Sequence, residues 1–372
     1  MINRFQTCRE RFRLRVVDGY GLPETFRPQT DYGHFFHLAE ETHSGGGDWK
    51  KAIMGMRREF LEWFPKQRAE INRWYRICKL QFPLYLKYWK ENDKQDLVTP
   101  LLQEFEFSVP YPLPNGKKIL MRGKWDGASM LRREGYPELF LDEHKTKGIV
   151  DQKKISQQLK FDRQTMYYLT SLVLYWDENG TLPGVSKRRM PKTTQLGGVR
   201  YNVVRRPLSS SPGMIKPLGP KTYKGDKPDY PGETEIEFLT RLHDKYLAAM
   251  PETFFHRWEV PITREDIEEY RKQFLTPMLL QISNWWDSIQ YDPFNPWVTS
   301  VEHLHGIIED PNCDRKALTE TPNPHHWRHP YGCYNHVDNA MDTDWEHMVN
   351  TGESKTLRRI HNLFPELTQS NA

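Results

Sequence analysis

Residues 119–168 read ILMRGKWDGASMLRREGYPELFLDEHKTKGIVDQKKISQQLKFDRQTMYY, and the fold turns on how they are read. Two runs of strand character, Ile119 to Trp125 and Leu139 to Leu141, flank Arg132-Arg133-Glu134-Gly135-Tyr136-Pro137, a charged turn holding Gly and Pro. The pattern predicts a β-hairpin. Side chains alternate along a strand, so Glu143 and Lys145 are expected on one face, with Asp142 and His144 on the other. Pairing of the two strands brings Asp126 beside Glu143. Two carboxylates and an ammonium at a strand end suit a divalent ion and its attacking water, since Mg²⁺ takes oxygen ligands and retains several waters. An exposed sheet also carries alternating Glu and Lys, as an ion pair of little energetic consequence. A bulge would exchange Asp142 for Glu143.

Downstream, residues 157–176 have helical character, and Gln164 and Tyr168, four apart, share a face. The run Gly197-Gly198-Val199-Arg200-Tyr201-Asn202-Val203-Val204 reads as a strand ended by Arg205-Arg206-Pro207. Residues 207–233, rich in Pro, Gly and Lys, read as a long loop. Helices are expected over 234–250 and 263–290, the second opened by Thr263 with Asp266 three residues on.

Upstream, Asp31 is expected to cap a helix running to Glu41, in which Gly33 and His37 share a face. Small Gly33 permits close approach, so His37 projects into a cleft; a lone helical His is otherwise most often structural. Residues 48–90 read as long helices dense in aromatic residues at core spacing, broken near Pro65 and Pro83. A strand over 102–109 alternates Glu104 and Glu106 with Phe105 and Phe107. The three glycines of 42–47 lack the spacing and Lys of a phosphate-binding loop.

With 372 residues and 12 Trp, 18 Tyr and 18 Phe, the chain has ample material for a core. The formal net charge of +4 argues only weakly for an acidic partner. No apolar run approaches the roughly 18 residues of a spanning helix. The first 15 residues lack an apolar signal core, so a cytoplasmic location and no membrane partner are expected. Cys8, Cys78, Cys313 and Cys333 are too scattered for a disulfide framework.

Taken in order, the Gly33/His37 helix, Asp126 at a strand end, the Glu143-x-Lys145 strand and the Gln164/Tyr168 helix resemble the RecB-like branch of the PD-(D/E)XK nuclease superfamily, its phage exonuclease-like members above all. The resemblance implies an α/β fold: a restriction-endonuclease-like core with a mixed central β-sheet flanked by helices, plus helical N- and C-terminal additions. It implies a division into 1–110, a helical region with the Gly33/His37 motif; 111–206, the nuclease core; 207–233, the loop; 234–340, a helical region completing the domain with a candidate Cys/His site; and 341–372, a polar tail. The implied activity is hydrolysis of DNA phosphodiester bonds with Mg²⁺ or Mn²⁺, in phage recombination, repair or replication, with a partner protein from those processes. Asp126, Glu143, His37 and the carbonyl of His144 would hold the metal. Lys145 would orient the water, and Gln164 and Tyr168 the DNA strand. The alternative is a catalytically inactive binding or scaffold protein of the same fold. Some RecB-like nucleases carry an iron-sulfur cluster on one N-terminal and three C-terminal cysteines. Cys8, Cys313 and Cys333 match part of that set, one ligand short; a Cys/His zinc site and reduced, metal-free thiols are the other readings.

Overall fold

The computed structural model of the chain describes residues 25–92, 98–132, 136–150, 158–160, 162–208, 215–219 and 232–290, with Phe5, Phe12, Val16, Tyr20, Gly21, Arg358 and Arg359. The chain divides into two compact units, residues 26–275 and residues 1–25 with 276–372. In the second, Phe5, Phe12, Val16 and Met278 form a small core with Trp285, and Tyr20–Gly21 pairs antiparallel with Arg358–Arg359. Cys8, the Cys/His segment and most of the 207–233 loop lie outside the described residues.

The larger unit opens with three helices: α1 (Pro28–Ser44), α2 (Trp49–Trp63) and α3 (Arg68–Asn92). Their aromatic faces, including Tyr32, Phe35, Phe36, Trp74, Phe82 and Tyr85, meet in one buried cluster. Each such side chain contributes about 1.5–3 kcal/mol by leaving water. Helix α1 begins earlier than Asp31, at Pro28, whose preset φ suits the first helical position and whose missing N–H is no loss there. Asp31 still serves the terminus, because its carboxylate accepts the Arg27 backbone N–H. Helix α3 likewise runs through Pro83 without ending. Pro83 is exposed, and the buried Trp74, Ile77, Cys78, Phe82 and Tyr85 on the same helix hold it to the core, outweighing the missing hydrogen bond.

Five strands follow: β1 (Val98–Pro112), β2 (Lys118–Arg132), β3 (Pro137–Lys147), β4 (Gln195–Arg205) and β5 (Phe255–Pro261). They lie side by side in that order. Joins are antiparallel except β3 to β4, which is parallel. A parallel join needs a crossover, and α4 (Arg163–Asn179), capped by Asp162, lies within it. The result is the mixed sheet with flanking helices that the family resemblance implies. Strand β5 was not expected: it is short and stands between α5 (Glu235–Leu242) and α6 (Arg264–Tyr270), without a turn pair to announce it.

Register sets the two faces of the sheet. Across β3 and β4, Asp142 pairs with Arg200 and His144 with Asn202, while Glu143 pairs with Tyr201 and Lys145 with Val203. Tyr201 donates its hydroxyl to the carbonyl of Leu159 in the crossover, at 2.9 Å. Glu143 and Lys145 thus face the crossover, and Asp142 and His144 face α1 and α3.

Candidate active site

Helix α1 carries His37 to the sheet because residue 33 has no side chain. A Cβ on Gly33 would sit 3.0 Å from Thr146 Oγ1 of β3, so glycine lets α1 pack tightly on that side chain. One turn on, the His37 ring stands 6.0 Å from that of His144. One turn further, Glu40 Oε1 lies 2.9 Å from His144 Nδ1 and accepts from Asn202 Nδ2 at 3.0 Å. Asn202 Nδ2 also reaches the Tyr85 hydroxyl. Burial works against a charged His144 ring, yet the Glu40 carboxylate carries its pKa up to about 9. Burial would raise Glu40, but the His144 charge and hydrogen bond hold it below the usual carboxylate value. This part-buried pair fastens α1 to β3, and the His144 backbone N–H fastens Asp126, donating to its Oδ2 at 2.8 Å.

On the crossover face, Lys145 Nζ lies 2.6 Å from Glu143 Oε2, and the Glu143 side chain is 1% exposed. Beyond that ion pair, neither oxygen of Glu143 has a hydrogen bond among the described residues. Burial pushes the Glu143 carboxyl up to about 7, against the pull of Lys145 and with a further push from Asp126. Desolvation disfavours the Lys145 ammonium, but Glu143 holds its pKa above the ordinary value. Helix α4 brings Tyr168 over β2, where Gly123 leaves room for it: a Cβ there would lie 2.8 Å from both the Phe107 ring and Tyr168 Cε1. Gln164 Nε2 donates to the Tyr168 hydroxyl at 3.3 Å.

His37, Asp126 and Glu104 each offer a ligand atom within 4.8 Å of the others. Burial lowers the His37 pKa despite the nearby Glu40 and Asp126, favouring the neutral imidazole that ligates metals. Two carboxylates with one imidazole fit a divalent ion of the Mg²⁺ or Mn²⁺ kind. A cleft of about 950 Å³ opens beside Asp126 and Glu104 and runs past Tyr85, Trp89, Lys90 and Arg257.

The structure therefore gathers His37 and Asp126, while Glu143 stays with Lys145 outside that group of three. The side chain of His144 is engaged by Glu40. Cys8, Cys313 and Cys333 lie outside the described residues. Cys78 is fully buried in the helical core, where burial pushes its thiol up, as suits a small hydrophobe rather than a ligand.

Sequence reasoning missed Glu104 and Glu40. Glu40 had a signal, the i+3 spacing from His37 that puts both on one side of α1. Glu104 had none, since in Glu104-Phe105-Glu106-Phe107 it reads as the solvent face of a regular strand. Its backbone φ is +46°, the sole left-handed non-glycine residue among those described. Such a conformation costs of order 1–3 kcal/mol and clusters at functional sites.

The family model of the PD-(D/E)XK nuclease superfamily matches residues 1–275. The chain belongs to the PD-(D/E)XK nuclease superfamily. A comparison with curated proteins finds no match. As in PD-(D/E)XK nucleases generally, which usually use Mg²⁺ or Mn²⁺, a mixed sheet flanked by helices carries a candidate metal group, here on β1, β2 and α1. Among the described residues of this PD-(D/E)XK protein, no helix is long and apolar enough to cross a membrane.

Proposed function

We propose that this protein is a metal-dependent deoxyribonuclease, an exonuclease of the RecB-like branch serving phage DNA recombination, repair or replication. The observation that carries the reading is the meeting of His37 and Asp126 next to the buried Glu143–Lys145 pair, beside a cleft with aromatic and basic walls. A divalent ion, when bound, supplies Lewis-acid charge to the scissile phosphate and lowers the pKa of water. His37 and Asp126 hold it, with Glu143 and the carbonyl of His144 completing the set that the family resemblance implies. Lys145 orients the attacking water and sets positive charge against the phosphate as negative charge builds there. Glu143 keeps that ammonium in place. Gln164 and Tyr168 steer the strand from the α4 side, while Lys87, Lys90 and Arg257 contribute the non-specific phosphate attraction of the cleft.

The test is incubation with end-labelled linear and closed circular DNA, single- and double-stranded, with Mg²⁺ or Mn²⁺. Release of label from linear DNA alone is expected, with Lys145→Ala and Glu143→Ala slower by at least about 100-fold, the scale on which such catalytic groups act. Cleavage of closed circles would withdraw the exonuclease reading. Absence of metal-dependent cleavage would leave the alternative, a binding protein of the same fold, whose affinity for DNA would still fall steeply with salt. An iron-sulfur cluster on Cys8, Cys313 and Cys333 is tested by absorbance near 400 nm on protein purified without oxygen; a colourless, iron-free sample removes it.

A further inference from the structure

Glu104 faces the metal group from a strand that carries none of the motif residues. It lies opposite Asp126, between the partner pairs Gln103–Gly127 and Phe105–Trp125. Its side chain is 13% exposed, and its Oε2 lies 2.7 Å from Lys124 Nζ. Lys124, on the strand face it shares with Asp126, has a second carboxylate within reach: Glu41 Oε1 of α1, at 3.6 Å. An exposed strand pair would need no left-handed backbone and no inward aim. Glu104 has both, and its carboxylate is brought to His37 and Asp126 while an ammonium occupies it.

We propose that Glu104 is a protein ligand of the divalent ion, held in position by Lys124 until metal arrives, and that Glu41 receives the Lys124 ammonium when Glu104 turns to the ion. The charges follow this exchange. Without metal, Asp126 and Glu104 are two carboxylates a few ångströms apart, and Lys124 offsets their repulsion. A divalent ion makes that ammonium redundant, and Glu41 is the next carboxylate on its path, so every charge keeps a partner throughout. The proposal rests on the metal-site reading above and extends it to three residues outside the family motif, Glu104, Lys124 and Glu41.

The experiment is calorimetric titration of Mn²⁺ into the chelator-stripped full chain, wild type beside Glu104→Gln, Glu104→Gly, Glu41→Gln and Asp126→Asn, with thermal unfolding of each. Asp126→Asn should abolish binding. Glu104→Gln and Glu104→Gly should each weaken Mn²⁺ binding at least 10-fold. Glycine relieves the left-handed backbone without restoring a ligand, so a purely structural Glu104 predicts wild-type affinity for Glu104→Gly. Glu41→Gln should weaken binding about 3-fold, because Lys124 then has no second partner and competes for Glu104; unchanged affinity there overturns the exchange. If Asp126→Asn loses the metal while both Glu104 variants bind as wild type, the ligand assignment falls and the nuclease reading stands. Wild-type Mn²⁺ affinity in Asp126→Asn would remove the metal site itself, and with it both readings.

Discussion

At the scale of single residues, the site depends on two glycines and one half-buried histidine. A methyl group at position 33 meets Thr146 Oγ1 at 3.0 Å, so either that side chain or α1 must give by a few tenths of an ångström. Gly33→Ala should therefore weaken Mn²⁺ binding several-fold with a loss of stability of only about 1 kcal/mol, read by calorimetry and urea unfolding. Gly123→Ala meets two aromatic rings at 2.8 Å and should cost more, about 1–3 kcal/mol, while displacing Tyr168. His144 sets a pH dependence. Its folded pKa of about 9 stands above the ordinary value near 6.5, so the Glu40–His144 pair contributes fully below about pH 6.5 and loses its contribution as pH rises through about 9. In metal-free buffer His144→Asn should be less stable than wild type by about 3 kcal/mol at pH 6, where Glu40 loses its cationic partner and keeps only neutral donors such as Asn202. By pH 9.5 the gap should close; a constant gap across that range would contradict the assigned pair.

At the scale of elements, what was legible depended on whether local chemistry and tertiary packing agree. The β2–β3 hairpin was readable because alternation and turn residues point the same way, and α4 because its helical spacing sets Gln164 and Tyr168 on one face. Pro83 misled because a local rule lost to the aromatic core on the other side of α3. Replacing it restores a backbone donor and a better helix former on an exposed face. Pro83→Ala should raise stability by about 1–3 kcal/mol, seen as a higher denaturant midpoint with unchanged slope. Strand β5 escaped because seven residues between helices carry too short a period to register. For the candidate site, His37, Asp126, Glu143, Lys145, Gln164 and Tyr168 stand out in the sequence as an ordered set, of which the structure brings His37 and Asp126 into one group. Glu104 was not, because a left-handed residue inside a strand breaks the alternation on which strand reading relies.

At the scale of the whole chain, the metal group spans elements distant in sequence, and its alignment is completed last. Glu40 positions the turn that carries His37, yet one of the hydrogen bonds fixing Glu40 comes from Asn202, 162 residues later. During synthesis α1 to α3 emerge first, then the hairpin, then α4, so a chain extended to Tyr168 already holds every motif residue. Until β4 docks in parallel against β3, Asn202 cannot reach Glu40, and that late, non-local pairing is the slow kind of step in folding. Nascent chains should consequently stay inert toward DNA until β4 has left the ribosome, so under the proposed function cutting competence would arrive only after the last of the motif residues has long been made.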